Sequence, residues 1–298
     1  MAYSQPQPLQ DQFLLHMGQQ IFNHNRNSEA QKRCFWHRWH PDNFKEQHPA
    51  IKVKITKDLN SNSALSNINK TIQEVVEKIK TTFGQQMELD GVNLDDLKHK
   101  KTGAPSESDV GPWKVCYDWL WDKAFPRWAF GKLQKQQQVA AKPGWLELVP
   151  KELVPNQEDH RIAVGRPNNP PQELRVNQGY QLQLQVPVPG YLLLLLREKD
   201  GSYSLCPSGA FSKQYELSES VEWIPRVNAD YQDMTFNVGE AEFLAIVLRD
   251  GWPFSDFPED EIPELTGAQM VEVWETLQTV EWQGFYRRYT VVGAGSQD

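Results

Sequence analysis

No window of this 298-residue chain reaches eighteen apolar residues, which excludes a membrane-spanning helix of ordinary length. The start, Met-Ala-Tyr-Ser-Gln-Pro-Gln-Pro, lacks the charged-then-apolar plan of a secretory signal. Cysteine is scarce: three residues, at 34, 116 and 206, are odd in number and scattered, so a disulfide framework is not expected and reduced thiols in a cytoplasm are. A basic excess is also missing. With a formal net charge of −8 and a pI near 5.5, the chain does not read as a dedicated binder of nucleic acid or of an anionic membrane. No Gly-rich phosphate loop and no nucleophile elbow occurs.

What is present divides unevenly. Residues 1 to 150 hold 20 Lys and Arg against 16 Asp and Glu, net +4, whereas 151 to 298 hold 11 against 23, net −12. The length accommodates two domains, each able to bury its own core. The boundaries expected are 9–140 for an α-rich domain with one short β segment, and 144–293 for an antiparallel β-sandwich with one helix, an α+β chain overall.

In the first domain Leu9, Phe13, Met17 and Ile21 recur at spacing four and predict a helix over 9–24. A second helix carries Cys34 to His40 and stops before Pro41. Ile51, Val53 and Ile55 alternate with polar residues and predict a strand. Ser63 is the expected N-cap of a long amphipathic helix running through Leu65, Ile68, Ile72, Val75, Ile79 and Phe83. Asn93 to Leu97 reads as a short capped helix, and 102–112 as a loop. The aromatic run Trp113, Tyr117, Trp119, Trp121, Phe125, Trp128 and Phe130 follows, with Pro126 suited to the first turn of a new helix.

From Trp145 onward helical periodicity fades. Leu182, Leu184 and Val186 alternate with glutamines, and 191–196 is an unbroken apolar run expected to be a strand buried on both faces. Asp200-Gly201 is read as a two-residue hairpin turn that folds Tyr203 to Leu205 back antiparallel. Strands are expected at 221–224, 234–238, 242–248 and 286–292, with a helix at 268–277 and an acidic loop over 251–265.

The series Gly179-Tyr180-Gln181-Leu182, Pro189-Gly190-Tyr191-Leu192-Leu193-Leu194, Asp200-Gly201, Leu205-Cys206-Pro207-Ser208, Trp223-Ile224-Pro225, Met234-Thr235-Phe236 and Glu242-Phe243-Leu244-Ala245-Ile246-Val247 resembles the bacterial 4384 family of domains of unknown function. The likeness covers roughly residues 173 to 250, and it departs from the family at Cys206-Pro207-Ser208, where Phe-Pro-Asn is usual. It implies a β-rich accessory domain of the kind that accompanies caspase-like, protease, kinase or repeat modules in bacterial signalling and defence proteins. It supplies no catalytic residue.

Candidate sites come from the first domain. Seven large rings within 113–130 cannot all point inward from one helix, so Trp113, Trp119, Trp121 and Trp128 are candidates for binding a protein partner. His16, His24, Cys34, His37, His40 and His48 crowd one stretch, and Cys34, His37 and His40, at successive i, i+3 positions, are the candidate zinc ligands, although their spacing matches no strong zinc pattern. Cys34 with a nearby His lacks an oxyanion donor, and Asp95, Asp96 and Lys98 sit on a short helix rather than a nuclease strand. Arg26, Lys32, Arg33 and Arg38 beside Phe35, Trp36 and Trp39 fit a solvated basic face better than a nucleic-acid grip. The function expected is a non-enzymatic adaptor or regulatory protein, with a metal-dependent enzyme or effector using the His16–His48 cluster as the alternative. Replacing Leu194 with Asp buries an unpaired carboxylate at a cost of several kcal/mol. Loss of the cooperative unfolding transition of the β domain is the expected readout.

Overall fold

The computed structural model describes residues 8–23, 29–59, 67–97, 111–136, 145–154, 173–185, 189–217, 221–226, 228–254 and 262–293. The chain is α+β and divides into two compact units, Met1–Trp128 and Ala129–Asp298.

In the first unit α1 (Leu9–Ile21) buries Leu9, Phe13, Leu14, Met17 and Ile21, the stripe its sequence period marks out. Helix α2 (Glu29–Trp39) buries Cys34, Phe35, Arg38 and Trp39 and ends at His40, whose extended backbone precedes Pro41. Residues 48–58 correct the expected strand. They form a helix, α3 (His48–Asp58), with proline in its first turn. Ile51 and Ile55, four apart, share one helical face and are fully buried, while Val53 is 68% exposed. Alternation over five residues fits either period at its ends, and only the middle residue tells them apart.

Helix α4 (Ile68–Leu89) is capped by Asn67, whose side chain accepts the Lys70 N–H at 3.2 Å; Ser63 and Leu65 lie outside the described residues. A single 3₁₀ turn over Leu94–Leu97 follows, started by Asn93 Oδ1 accepting the Asp95 N–H. Helix α5 (Pro112–Asp118) leads through a π-helical turn over Trp119–Ala124 into α6 (Phe125–Gln136), within which the division between units falls. Pro126, in the first turn of α6, cannot donate to the carbonyl four residues back, and the wide turn sits where that bond is missing. Helix α2 packs against α1, α3 and α4, and α5 packs against α4.

In the second unit a three-stranded sheet runs β1 (Leu146–Pro150), β3 (Tyr180–Leu184), β7 (Glu222–Ile224). The larger sheet runs β2 (Glu173–Arg175), β9 (Trp282–Val292), β8 (Gly239–Leu248), β4 (Gly190–Arg197), β5 (Ser202–Cys206), with β6 (Glu216–Leu217) also on β4. Among the described strands, pairing is antiparallel except for β2 with β9. Side chains from both sheets form one core, Leu146, Leu148, Leu182 and Leu184 meeting Leu192, Leu194 and Leu196. Leu193 and Leu195 on the other face of β4 are fully buried as well, so the apolar run is covered on both sides. Helix α7 (Gly267–Leu277) carries a complete capping box between Thr266 and Gln269.

Two details of the β unit differ from expectation. The β4–β5 hairpin forms, yet neither Asp200 nor Gly201 has a positive φ; the Glu198 N–H donates to the Gly201 carbonyl at 3.0 Å. A Cβ at Gly201 would lie 3.0 Å from Tyr203 Oη and 3.1 Å from Glu264 Oε1, so these side-chain ends would have to give by a few tenths of an ångström to admit one. Residues 234–238 are not a strand. Met234 exchanges both backbone bonds with Tyr180, but continuing that ladder would require residues 176–178, where the chain turns through Asn177 at φ 62°.

The sheets are tied by two reciprocal tyrosines. Tyr289 of β9 accepts the Leu148 N–H and donates to the Leu146 carbonyl, both at 3.1 Å, on the outer edge of β1. Tyr180 of β3 accepts the Arg175 N–H of β2 at 2.7 Å and donates to Gln178 Oε1. Across three strands of the large sheet, Arg197, Glu242 and Arg288 stand opposite one another; the buried Glu242 carboxylate pairs with Arg197, accepts from Arg288 at 2.9 and 3.0 Å, and accepts the Tyr286 hydroxyl at 2.9 Å. Replacing Tyr289 with Phe keeps the ring and strands two buried backbone groups, for an expected loss of about 1–3 kcal/mol. Chemical denaturation of the variant against the native chain measures it.

Candidate functional site

The aromatic run does not make the surface that its composition suggests. Trp119 and Trp121 are 3% and 8% exposed, which withdraws both from the partner-binding set. Trp119 Nε1 donates to Asp90 Oδ2 at 2.7 Å, and Trp121 Nε1 to the Trp39 carbonyl at 2.9 Å. Asp90, at the C-terminal end of α4 where a negative charge meets the unfavourable end of the helix dipole, is held in place by Arg127 through bonds of 2.6 and 3.0 Å. The π turn re-aims successive rings, so more of the run faces inward than a uniform helix allows. Trp113 and Trp128 remain half-buried. The Arg38 guanidinium lies 3.4 Å above the Trp113 ring, and Trp128 packs beside Phe13 and His16.

The candidate zinc ligands take separate partners. His37 Nε2 meets Asp58 Oδ2 at 2.8 Å, and His40 Nε2 meets Asp11 Oδ1 at 3.0 Å. Cys34 is fully buried, with Arg38 and Glu74 as its charged neighbours. His16 contacts Gln20, His48 contacts Asn69, and His24 lies outside the described residues. Among the described residues no three His, Cys, Asp or Glu side chains are grouped to hold a metal ion. Burial pushes the Cys34 thiol up to about 12, an effect the nearby Arg38 only partly opposes. Such a thiol is not a nucleophile at neutral pH. Asp95 and Asp96 belong to the 3₁₀ turn and Lys98 lies outside the described residues; of the acidic stretch, Glu264 is described, bridged to Tyr203.

One concavity lies between α1 and α2. It has a volume of roughly 300 Å³, an apolar floor from Leu14, Leu15, Gly18, Phe22, Phe35 and Trp36, and a charged rim of Glu29, Lys32 and Arg33. Gly18 faces the Phe35 ring across the groove, and a Cβ there would make ordinary contact with it at 3.8 Å. Leu15 is 46% exposed, a large apolar side chain left at the mouth. On the rim Glu29 bonds Arg33 at 3.1 Å and approaches Lys32 at 3.8 Å. A groove of this size takes one or two apolar side chains and has no buried acid or base in its lining. The sequence placed Trp36 beside the histidines but did not couple it to Leu15. That pairing depends on how α1 and α2 cross, which a one-dimensional period does not carry.

No helix among the described residues is long and apolar enough to cross a membrane. No family model matches the sequence, and no curated protein matches it. Among solved structures, the chain is similar at 13% identity to a Pseudomonas fluorescens alkylpurine DNA glycosylase, AlkC, bound to DNA containing an abasic site analog. The alignment covers 80% of this chain and 64% of that one, so the chain spans less than two thirds of its length, and the TM-score is 0.17. A score that low supports neither a shared fold nor a shared activity.

Because the Cys34 thiol is held neutral below about pH 12, the native chain is expected to leave Cys34 unalkylated by iodoacetamide at pH 8 and the urea-unfolded chain to alkylate it within minutes. Peptide mass spectrometry reads both.

Proposed function

We propose that this protein is a non-enzymatic adaptor or regulatory protein that holds an apolar segment of a protein partner in the groove between α1 and α2 and engages further partners through its β unit. The observation that carries the reading is the groove itself: an open apolar floor with Leu15 exposed at its mouth and a charged rim, built on two helices. The thiol and imidazoles of the His- and Cys-rich stretch are engaged elsewhere, Cys34 in the core and His37 and His40 on carboxylates. The resemblance of residues 173–250 to accessory domains of bacterial signalling and defence proteins agrees with a binding role. A pattern of apolar anchors with a polar rim is how helical or extended segments are commonly captured.

A photo-crosslinking amino acid at position 15, compared with the same group at position 53, tests this. Val53 is also exposed but stands on α3, away from the groove. Position 15 is expected to yield a discrete crosslinked protein that position 53 does not, and Leu15→Lys with the crosslinker moved to position 19 should abolish it. Identical products from both positions would sink the groove as a docking site.

A further inference from the structure

We propose that the partner segment held between α1 and α2 is acidic, with an Asp or Glu close to its apolar anchor bonded by Lys32 and Arg33 on the rim. This rests on the partner-binding reading above and names the chemistry of the occupant.

The rim holds more cation than anion. Among the described residues lining the groove Glu29 is the one acid, against two cations, Lys32 and Arg33, a net charge of +1. Lys78 of α4 adds to it, its ammonium standing 6.0 Å from the centre of the Phe22 ring. The Glu74 carboxylate, also on α4, accepts from the Gln31 amide at 2.8 Å instead of joining either rim cation. Floor and charge therefore select two parts of one ligand, an apolar side chain and a carboxylate.

Both cations have donors to spare. Arg33 reaches Glu29 Oε1 through Nε at 3.1 Å, and its terminal Nη groups bond no described residue. Those two groups form the outer fork of the guanidinium, which takes the two oxygens of a carboxylate in parallel. Lys32 Nζ stays 3.8 Å from Glu29 Oε2, beyond hydrogen-bond reach. The Lys32, Arg33 and Glu29 side chains are 48%, 44% and 54% exposed, so these pairs are screened by water and hold the cations weakly. A second carboxylate can join them without breaking a buried bond.

Helix geometry sets where that carboxylate lies. Lys32 and Arg33 precede Phe35 and Trp36 by three residues, so the cations sit about one turn, roughly 5 Å, along α2 from the rings of the floor. An apolar anchor on those rings places an acid about one or two residues away over the rim when the segment is extended. The anchor also displaces water, which strengthens the new ion pair.

The test uses the full chain and, as probe, a display library of short randomised linear peptides. Recovered peptides are expected to combine a large apolar residue with a nearby Asp or Glu, to slow hydrogen exchange in α1 and α2, and to lose binding to the Leu15→Lys chain. Replacing Lys32 and Arg33 together with Gln should weaken them about tenfold or more, while Glu29→Gln, which removes the competing carboxylate, should tighten them about threefold. A gain of affinity cannot come from damage to the fold. Peptides that protect α1 and α2 and fail on Leu15→Lys, yet carry no acid and ignore all three rim substitutions, overturn the acidic occupant and leave the groove standing. Peptides that bind Leu15→Lys as well as the native chain overturn both. Protection of α1 and α2 that rises with protein concentration alone, without peptide, gives the groove to a second copy and overturns a heterologous partner.

Discussion

Most buried polar groups take a partner, and in both units those pairings fix which elements lie together. In the helical unit the nearly inaccessible Asp90 carboxylate ends α4 and draws in Trp119 and Arg127, so the wide turn at 119–124 is held from both sides. Arg38, only 2% exposed, donates from Nη1 to the Asn43 and Glu46 carbonyls and lies over the Trp113 face, which ties the end of α2 to α5, while its buried Nε has no hydrogen-bond partner. In the β unit the same role falls to Tyr289, Tyr180 and the arginines around Glu242. Apolar burial supplies most of the driving force, but it is non-directional; these contacts specify the arrangement.

That distinction explains how much was legible in the chain. Helices α1, α2 and α4, strand β4 with its hairpin partner, and helix α7 are written in periods that extend over several residues, and the structure has them there, although α4 starts at Ile68 with Asn67 as its cap and not at the expected Ser63. Residues 51–55 were too short for the period to be decided, and Val53 on the exposed side of α3 settles it. Residues 234–238 have strand composition but lack a neighbour to pair with, which is a property of the turn at Asn177 rather than of their own sequence. Strands β1 and β2 went unread because each is short and gains its place from partners far along the chain, β1 from Tyr289 and β2 from its pairing with β9.

The candidate sites divide on the same line. Ring density pointed to a partner-binding surface, but the direction of each ring depends on the π turn, and Trp119 and Trp121 face inward with their indole N–H groups satisfied. The i, i+3 spacing of Cys34, His37 and His40 is real, yet on a helix it spreads three side chains over an arc, and each finds a different neighbour. The groove is lined by residues of two helices, a feature visible only once α1 and α2 are set side by side.

The two tyrosine ties reach in opposite directions, one hydroxyl going from the large sheet to the small and the other from the small to the large. Because β2 neighbours β9 and β1 neighbours β3, both hydroxyls clasp the same margin of the sandwich, and removal of either leaves the other joining the two sheets there.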